Sequence, residues 1–191
     1  MTINLEKGSR VNLEKENPGL SHLNIGLGWN VKRADGADFD LDASLLMVDE
    51  ADKAIGTDAF IFYNHTASQC GSVVHTGDNL TGEGEGDDEV IKVNLSTLAD
   101  NVIKLVVAVT IHDADTRSQN FGQVDNAFIR IVNDANNEEI VRYDLTEDYS
   151  AETSLVFGEI YKKDGNWRFV AKGEGFAGGL QAYLASYGLN T

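Results

Sequence analysis

The sequence predicts a mainly β fold, a sandwich of two antiparallel sheets with a few short helices, one of them near the C-terminus. About ten short segments alternate apolar and polar residues with the period of two typical of half-buried strands. Motifs typical of tight turns separate several of these segments. Strands of this length and number pack as two sheets face to face. A chain of 191 residues, 42% of them apolar, suits one domain over residues 1–191.

The first two predicted strands show the clearest alternation. In residues 22–29 (HLNIGLGW), apolar side chains occupy every second position up to Trp29. In residues 38–48 (DFDLDASLLMV), Phe39 and Leu41 alternate with acidic residues, so that one face is apolar and the other carries carboxylates. Further strands are predicted at residues 59–63, 72–76, 89–95 and 102–112.

The run at 102–112 (VIKLVVAVTIH) is apolar on both faces, which predicts a central strand that is covered on each side. The C-terminal half continues the series, with turns expected at NDANN and KDGN. The remaining predicted strands are residues 127–132, 138–145, 153–163 and 167–173.

Helical patterns are few. Residues 113–122 (DADTRSQNFG) predict a brief helix or loop that ends at Gly122. Near the C-terminus, Leu180, Tyr183, Leu184 and Tyr187 recur at helical spacing, and Gly188 is placed to end the helix. This helix is expected to lay an apolar stripe on a sheet.

The net charge of −16 excludes several classes of function. A surface this acidic repels phosphate, so nucleic acid is not expected as a direct ligand. The single cysteine, Cys70, cannot form a disulfide within the chain. The first residues lack the basic segment and apolar run of a signal peptide, and we therefore expect a cytoplasmic protein, with peripheral contact at the inner membrane as a variant.

Two acidic motifs need an explanation. The first is the strand row Asp38, Asp40 and Asp42, whose side chains point the same way about 7 Å apart because a strand rises about 3.3 Å per residue. The second is the loop GDNLTGEGEGDDE at residues 77–89, which holds six carboxylates and four glycines without a lysine or arginine. Such a loop is either a solvated surface segment or a cation site, and the strand row beside it favours the cation.

A hard divalent cation would neutralise both motifs. Calcium accepts six to eight oxygens from carboxylates, amides and backbone carbonyls, and the loop offers all three. Magnesium keeps more of its waters, and zinc, copper or iron would favour histidine and cysteine. The motif DFDLDA is not an EF-hand, because Ala43 stands where that loop requires glycine. We therefore predict one or two Ca²⁺ ions.

Six motifs together resemble the TerD family of bacterial tellurite-resistance and stress proteins: LEKGSRVNL, IGLGWN, DFDLDASLLMVD, GDNLTGEGEGDDE, FGQVDNAFIRIVN and GNWRFVAKGEGFAGGL. The resemblance runs from end to end of the chain. It implies a β-sandwich that binds calcium, within a stress response linked to tellurite, colicin and phage resistance. The ligand set it implies is Asp38, Asp40, Asp42, Asp78, Asn79, Glu83, Glu85, Asp87, Asp88 and Glu89.

The expected function is a calcium-responsive interaction module whose partners are other proteins of the tellurite-resistance and stress system. The alternatives are a calcium-dependent module that binds a membrane surface, and a metal-dependent hydrolase. No apolar loop tip is evident to support the membrane alternative. We expect no enzyme activity, because Ser72 with His75, or His112 with Asp113, are adjacent in sequence without the pattern of a triad. Direct chemistry on tellurite is not expected either, since no pair of reactive thiols is present.

Overall fold

The computed structural model of the chain describes residues 2–30, 38–82, 86–145, 152–176 and 179–189. These residues form twelve strands in two six-stranded sheets. The fold class predicted from the sequence is confirmed. The strands are β1 (Ile3–Asn4), β2 (Arg10–Asn12), β3 (His22–Asn30), β4 (Leu41–Val48), β5 (Phe60–Ile61), β6 (Val73–His75), β7 (Glu89–Asn94), β8 (Lys104–Ile111), β9 (Asp125–Asn133), β10 (Glu138–Asp144), β11 (Ser154–Lys163) and β12 (Asn166–Gly175).

The first sheet has the strand order β1-β10-β9-β3-β7-β6, and the second has the order β2-β12-β11-β8-β4-β5. Neighbouring strands are antiparallel, except that β1 pairs with β10 in parallel. Strand β8 lies between β11 and β4, as expected of the doubly apolar run at 102–112. The hairpins β9–β10 and β11–β12 turn at NDANN and KDGN, where Asn137, Asp164 and Gly165 adopt positive φ.

The helices are short. They are α1 (Leu13–Glu16), α2 (Ala114–Arg117) and α3 (Gly179–Ser186), and a 3-10 turn covers Phe121–Gln123. Helix α3 confirms the predicted C-terminal helix: Tyr183 and Leu184 are buried, and Gly188, at a φ of 83°, follows its end. Helix α3 lies against the second sheet's edge loop, where Lys53 Nζ donates to the Ser186 carbonyl. Among the described residues, no helix is long and apolar enough to cross a membrane.

The core lies between the two sheets. Leu23, Ile25 and Leu27 of β3 have no exposed surface, as the period of two predicts. Strand β4 is buried along its whole length, including polar Asp42 and Ser44. Strand β4 therefore holds the carboxylate of Asp42 in a position that is nearly shielded from solvent.

The structure departs from the predicted elements in two places. The N-terminal elements β1, β2 and α1 were not predicted, and β4 begins at Leu41 rather than at residue 38. Strands of two or three residues have too little alternation to be recognised, and they form because β10 and β12 offer free edges. Asp38 and Asp40 consequently precede the strand, and their positions depend on tertiary contacts.

Candidate metal centre

Three carboxylates meet at one end of the second sheet. Asp40 precedes β4, Asp42 is its second residue, and Asp78 lies in the segment that follows β6. One oxygen of each lies within 4.8 Å of the others. Leu41 and Ala43 point into the core, and this alternation turns Asp42 to the opposite face. The fold therefore brings together members of both acidic motifs, and we call these three residues the carboxylate cluster.

The carboxylate cluster is expensive to hold in its charged form. Asp40 and Asp42 are only 5% and 7% exposed. Burial, with further repulsion from Glu89, Asp40 and Asp78, raises the pKa of Asp42 to about 8. Burial also raises the pKa of Asp40, while the positive charge that His112 can carry opposes this rise. The ring Nδ1 of His112 lies 3.8 Å from Asp42 Oδ2, and its backbone N–H donates to the Asp40 carbonyl at 2.8 Å.

Glu89 lies beside the carboxylate cluster and joins the two sheets. It begins β7 in the first sheet, yet its Oε2 accepts a hydrogen bond of 2.7 Å from the backbone N–H of Ala43 in the second. The buried His75 Nε2 lies 3.4 Å from the same oxygen. Burial raises the pKa of Glu89, and the contacts with His75 and Ala43 oppose that rise. Glu89 therefore acts as a structural acceptor next to Asp42.

Two buried oxygens in this region have no hydrogen-bond donor among the described residues: Asp40 Oδ1 and Glu89 Oε1. Glu89 is only 1% exposed. A buried carboxylate oxygen without a donor is unfavourable in a folded protein. These two oxygens are therefore available to a cation.

The structure places other predicted ligands outside the carboxylate cluster. Asp87 forms a two-point ion pair with Arg130, at 2.7 Å to Nε and 3.1 Å to Nη2. Asp88 accepts from the backbone N–H of Trp29 at 2.9 Å and from Asn79 Nδ2 at 3.1 Å. These side chains organise the segment rather than converge on Asp42.

Two further predicted ligands, Asn79 and Asp38, also lie outside the carboxylate cluster. Asn79 Oδ1 accepts from the backbone N–H groups of Thr81 and Gly82, which fixes a turn. The Asp38 side chain is exposed, while its carbonyl accepts from Arg117 and Gln119. Glu83 and Glu85 lie outside the described residues.

The sequence did not predict that His75 and His112 lie near this centre. His75 reaches Glu89 and His112 reaches Asp42 only because strands distant in sequence are adjacent in space. The pairing of Ser72 with His75 is not formed, since the Ser72 hydroxyl donates to the Thr97 carbonyl at 2.6 Å. The Nδ1 of His75 accepts from the Gly77 N–H at 3.3 Å, so that Nε2 carries the proton that faces Glu89.

The donor set fits a hard divalent cation. Calcium lies about 2.3 to 2.6 Å from its oxygen ligands, so two oxygens on opposite sides of one ion are about 5 Å apart. The separation of at most 4.8 Å within the carboxylate cluster is compatible with a shared ion. Oxygen donors alone also suit calcium better than zinc or copper. Asp40, Asp42 and Asp78 are the residues that would hold it.

The fold and this centre define an acidic β-sandwich protein with an all-carboxylate cluster at the end of one sheet. Residues 1–187 match the family model of the TerD domain. General stress protein 16U of Bacillus subtilis (strain 168) is 55% identical over 190 residues, which cover 99% of this chain and 98% of that protein. Tellurium resistance protein TerD of Serratia marcescens is 52% identical over 190 residues, covering 100% of this chain and 99% of that one. The chain therefore belongs to the TerD family of tellurium-resistance and general stress proteins.

A solved structure supports the fold assignment. The crystal structure of a homologue of telluride resistance protein (TerD) from Streptomyces coelicolor A3(2) superposes with a TM-score of 0.74. The match covers 91% of this chain and 100% of that one at 20% sequence identity. At 20% sequence identity, this likeness is evidence for the fold alone.

Proposed function

We propose that this chain is a cytoplasmic, calcium-binding stress-response protein that acts as a calcium-responsive interaction module. The observation that carries the proposal is the carboxylate cluster, in which two nearly buried aspartates and Asp78 present oxygens within 4.8 Å of one another. Two carboxylates at that separation, when both are ionised, repel by roughly 3 kcal/mol at an effective dielectric constant of 20. A cation bound between these carboxylates would relieve the repulsion.

Calcium would stabilise the folded chain by mass action. An ion that binds the folded form alone adds about 2.7 kcal/mol to the free energy of unfolding at a hundredfold excess over its dissociation constant. Hydrogen bonds through Asn79 and Asp88 connect the segment around Asp78 to β3, beside the carboxylate cluster. We therefore expect this segment to respond most to a bound ion. Ion binding at Asp78 would therefore be transmitted to the surface of this segment.

An exposed apolar residue lies on that surface. Among the described residues, Leu80 is the one large apolar side chain that is mainly exposed, at 58%. It stands two positions after Asp78, in a segment where no apolar loop tip was predicted. Isolated exposed leucines are common, but one beside an ion-responsive segment suits an anchor for a partner. We place a protein of the same stress system in that role.

A calcium titration followed by amide chemical shifts tests the ion site. We expect saturable shifts centred on Asp40, Asp42 and Asp78, and small shifts at Asp87, which Arg130 already occupies. Asp100→Asn is the matched control. Asp100 is exposed and lies in the connection between β7 of the first sheet and β8 of the second, at the opposite end of these strands from Glu89 and Thr110. Uniform shifts without saturation, or an unchanged response in Asp42→Asn, would contradict the proposal.

The membrane surface is the second candidate partner, and Leu80 would serve it equally. Sedimentation with vesicles of anionic phospholipid, with calcium and with a chelator, separates the two. Under the protein-partner proposal, the chain stays in the supernatant in both conditions. Calcium-dependent sedimentation that Leu80→Ser abolishes would favour the membrane instead.

A further inference from the structure

A cavity of about 370 Å³ opens on the outer face of the second sheet, beside the carboxylate cluster. Asp42 of β4, Thr110 of β8 and Ser154 of β11 form its floor, and the register pairs Thr110 with each of the other two. Side chains paired in this way on one face are about 5 Å apart. Helix α2 and Leu180 of α3 border the cavity. Its volume is within the range of small-molecule sites, which is about 300 to 1,000 Å³.

The floor offers hydrogen-bond acceptors that are not in use. Ser154 is 5% exposed and Asp42 is 7% exposed. Neither side chain makes a hydrogen bond with the part of the chain that the structure describes, and the contact of Asp42 with His112 is a long 3.8 Å. Both side chains line the cavity, so their oxygens are open to a bound molecule. A ligand that brings hydrogen-bond donors would satisfy them.

One wall of the cavity is aromatic. Phe62 stacks on Phe60 with ring centroids 4.9 Å apart, and Tyr63 stands edge-on to Phe62 at 5.2 Å. Tyr63 is also edge-on to the His112 ring at 6.2 Å. Phe62 and Tyr63 are half-buried, so part of their surface is accessible from the cavity. The faces of such rings attract cations.

The charges around the cavity select the class of ligand. The exposed carboxylates Asp113 and Asp115 line it, and its described lining includes no lysine or arginine. Burial and, after it, the negative charges of the nearby aspartates raise the pKa of Tyr63. Phosphates and other anions are therefore repelled. A positively charged group is attracted, and an ammonium supplies three donors to an otherwise accepting floor.

We propose that this cavity binds a small organic cation, an aliphatic diamine or a similar amine, with an ammonium group on Asp42 and Ser154 and its hydrocarbon chain along Phe62 and Tyr63. The site uses the chain's own residues and needs no metal ion. It is thus separate from the proposed calcium function, although Asp42 belongs to both.

The test compares two probes of equal length, 1,4-diaminobutane and butane-1,4-diol, by titration calorimetry on the metal-free full-length chain. We expect saturable binding of the diamine to one site and no binding of the diol. Tyr63→Leu should weaken the diamine about 3- to 30-fold, the range that a cation–π contact provides. Equal binding of diamine and diol, or unchanged affinity in folded Tyr63→Leu, would overturn the proposal.

A second pair of variants separates this site from general attraction to an acidic surface. Asp113→Asn and Asp100→Asn each remove one exposed negative charge, but Asp100 precedes the far end of β8, whose first residue, Lys104, is about 20 Å from Thr110 by the rise of a strand. We expect Asp113→Asn to weaken diamine binding several-fold more than Asp100→Asn. Equal weakening would overturn the proposal in favour of non-specific attraction. Because these titrations contain no calcium, their outcome is independent of whether the carboxylate cluster binds calcium.

Discussion

Replacing Asp42 by asparagine should stabilise the metal-free protein and abolish its response to calcium. Asp42 is nearly buried, and its pKa rises from 3.8 to about 8 on folding. A carboxyl group whose pKa is raised by folding lowers the free energy of unfolding as the pH increases between the two values. Asparagine has a similar shape and no charge, so the variant avoids this loss while it removes one calcium ligand.

The size of the effect follows from the two pKa values. Between pH 3.8 and pH 7 the folded chain keeps a proton that the unfolded chain releases. At about 1.4 kcal/mol per pH unit, the metal-free wild type is destabilised at pH 7 by an upper limit of about 4 kcal/mol. The loss should vanish near pH 4 and become constant above pH 8, where Asp42 is ionised in both states.

Urea denaturation from pH 4 to pH 9 in a chelator measures this difference. We expect Asp42→Asn to exceed the wild type in free energy of unfolding by an amount that grows with pH, and Asp100→Asn to follow the wild type. Calcium at a hundredfold excess over its dissociation constant should narrow this difference by about 2.7 kcal/mol, because only the wild type gains the ion's binding energy. A variant that is less stable than the metal-free wild type at pH 7, or a difference that does not change with pH, would refute the reasoning.

Three further predictions concern the neighbours of the carboxylate cluster. Asp87→Asn should lower the free energy of unfolding by about 1 to 3 kcal/mol by breaking the pair with Arg130, and leave the calcium midpoint in a titration unchanged. Gly26→Ala should destabilise by about 1 to 3 kcal/mol in urea, because the new Cβ would meet the Asp87 carboxylate at 2.2 Å. In a Trp167→Phe background, calcium should change the fluorescence of Trp29, whose indole donates to the Phe39 carbonyl beside Asp40; a silent spectrum would count against binding there.

Much of the fold could be predicted from local pattern. Strand β3 was recognisable because apolar residues occupy every second position, and the central strand β8 because it is apolar on both faces. Helix α3 was recognisable because its apolar residues share a helical face. The elements before residue 20 escaped prediction. Their pairing energy comes from β10 and β12, which lie more than a hundred residues away.

The candidate site divides in the same way. The acidic motifs themselves, and the alternation that turns Asp42 away from the core, were evident in the sequence. The sequence did not show which of these carboxylates meet in the folded chain. Asp87 and Asp88 sit in the same run as Asp78, yet one is held by Arg130 of β9 and the other by the N–H of Trp29 in β3.

By itself, the sequence determined the β-sandwich, its family, its strong negative charge and the two segments that supply oxygen donors. These properties depend on composition, periodicity and motifs, which are local. The tertiary structure alone decided that Asp40, Asp42 and Asp78 converge, that Glu89 instead binds across the sheets, and that aromatic and acidic side chains enclose a cavity beside them. The physical reason is that side chains on strands far apart in sequence become neighbours only through sheet register, and burial then sets the cost of their charges.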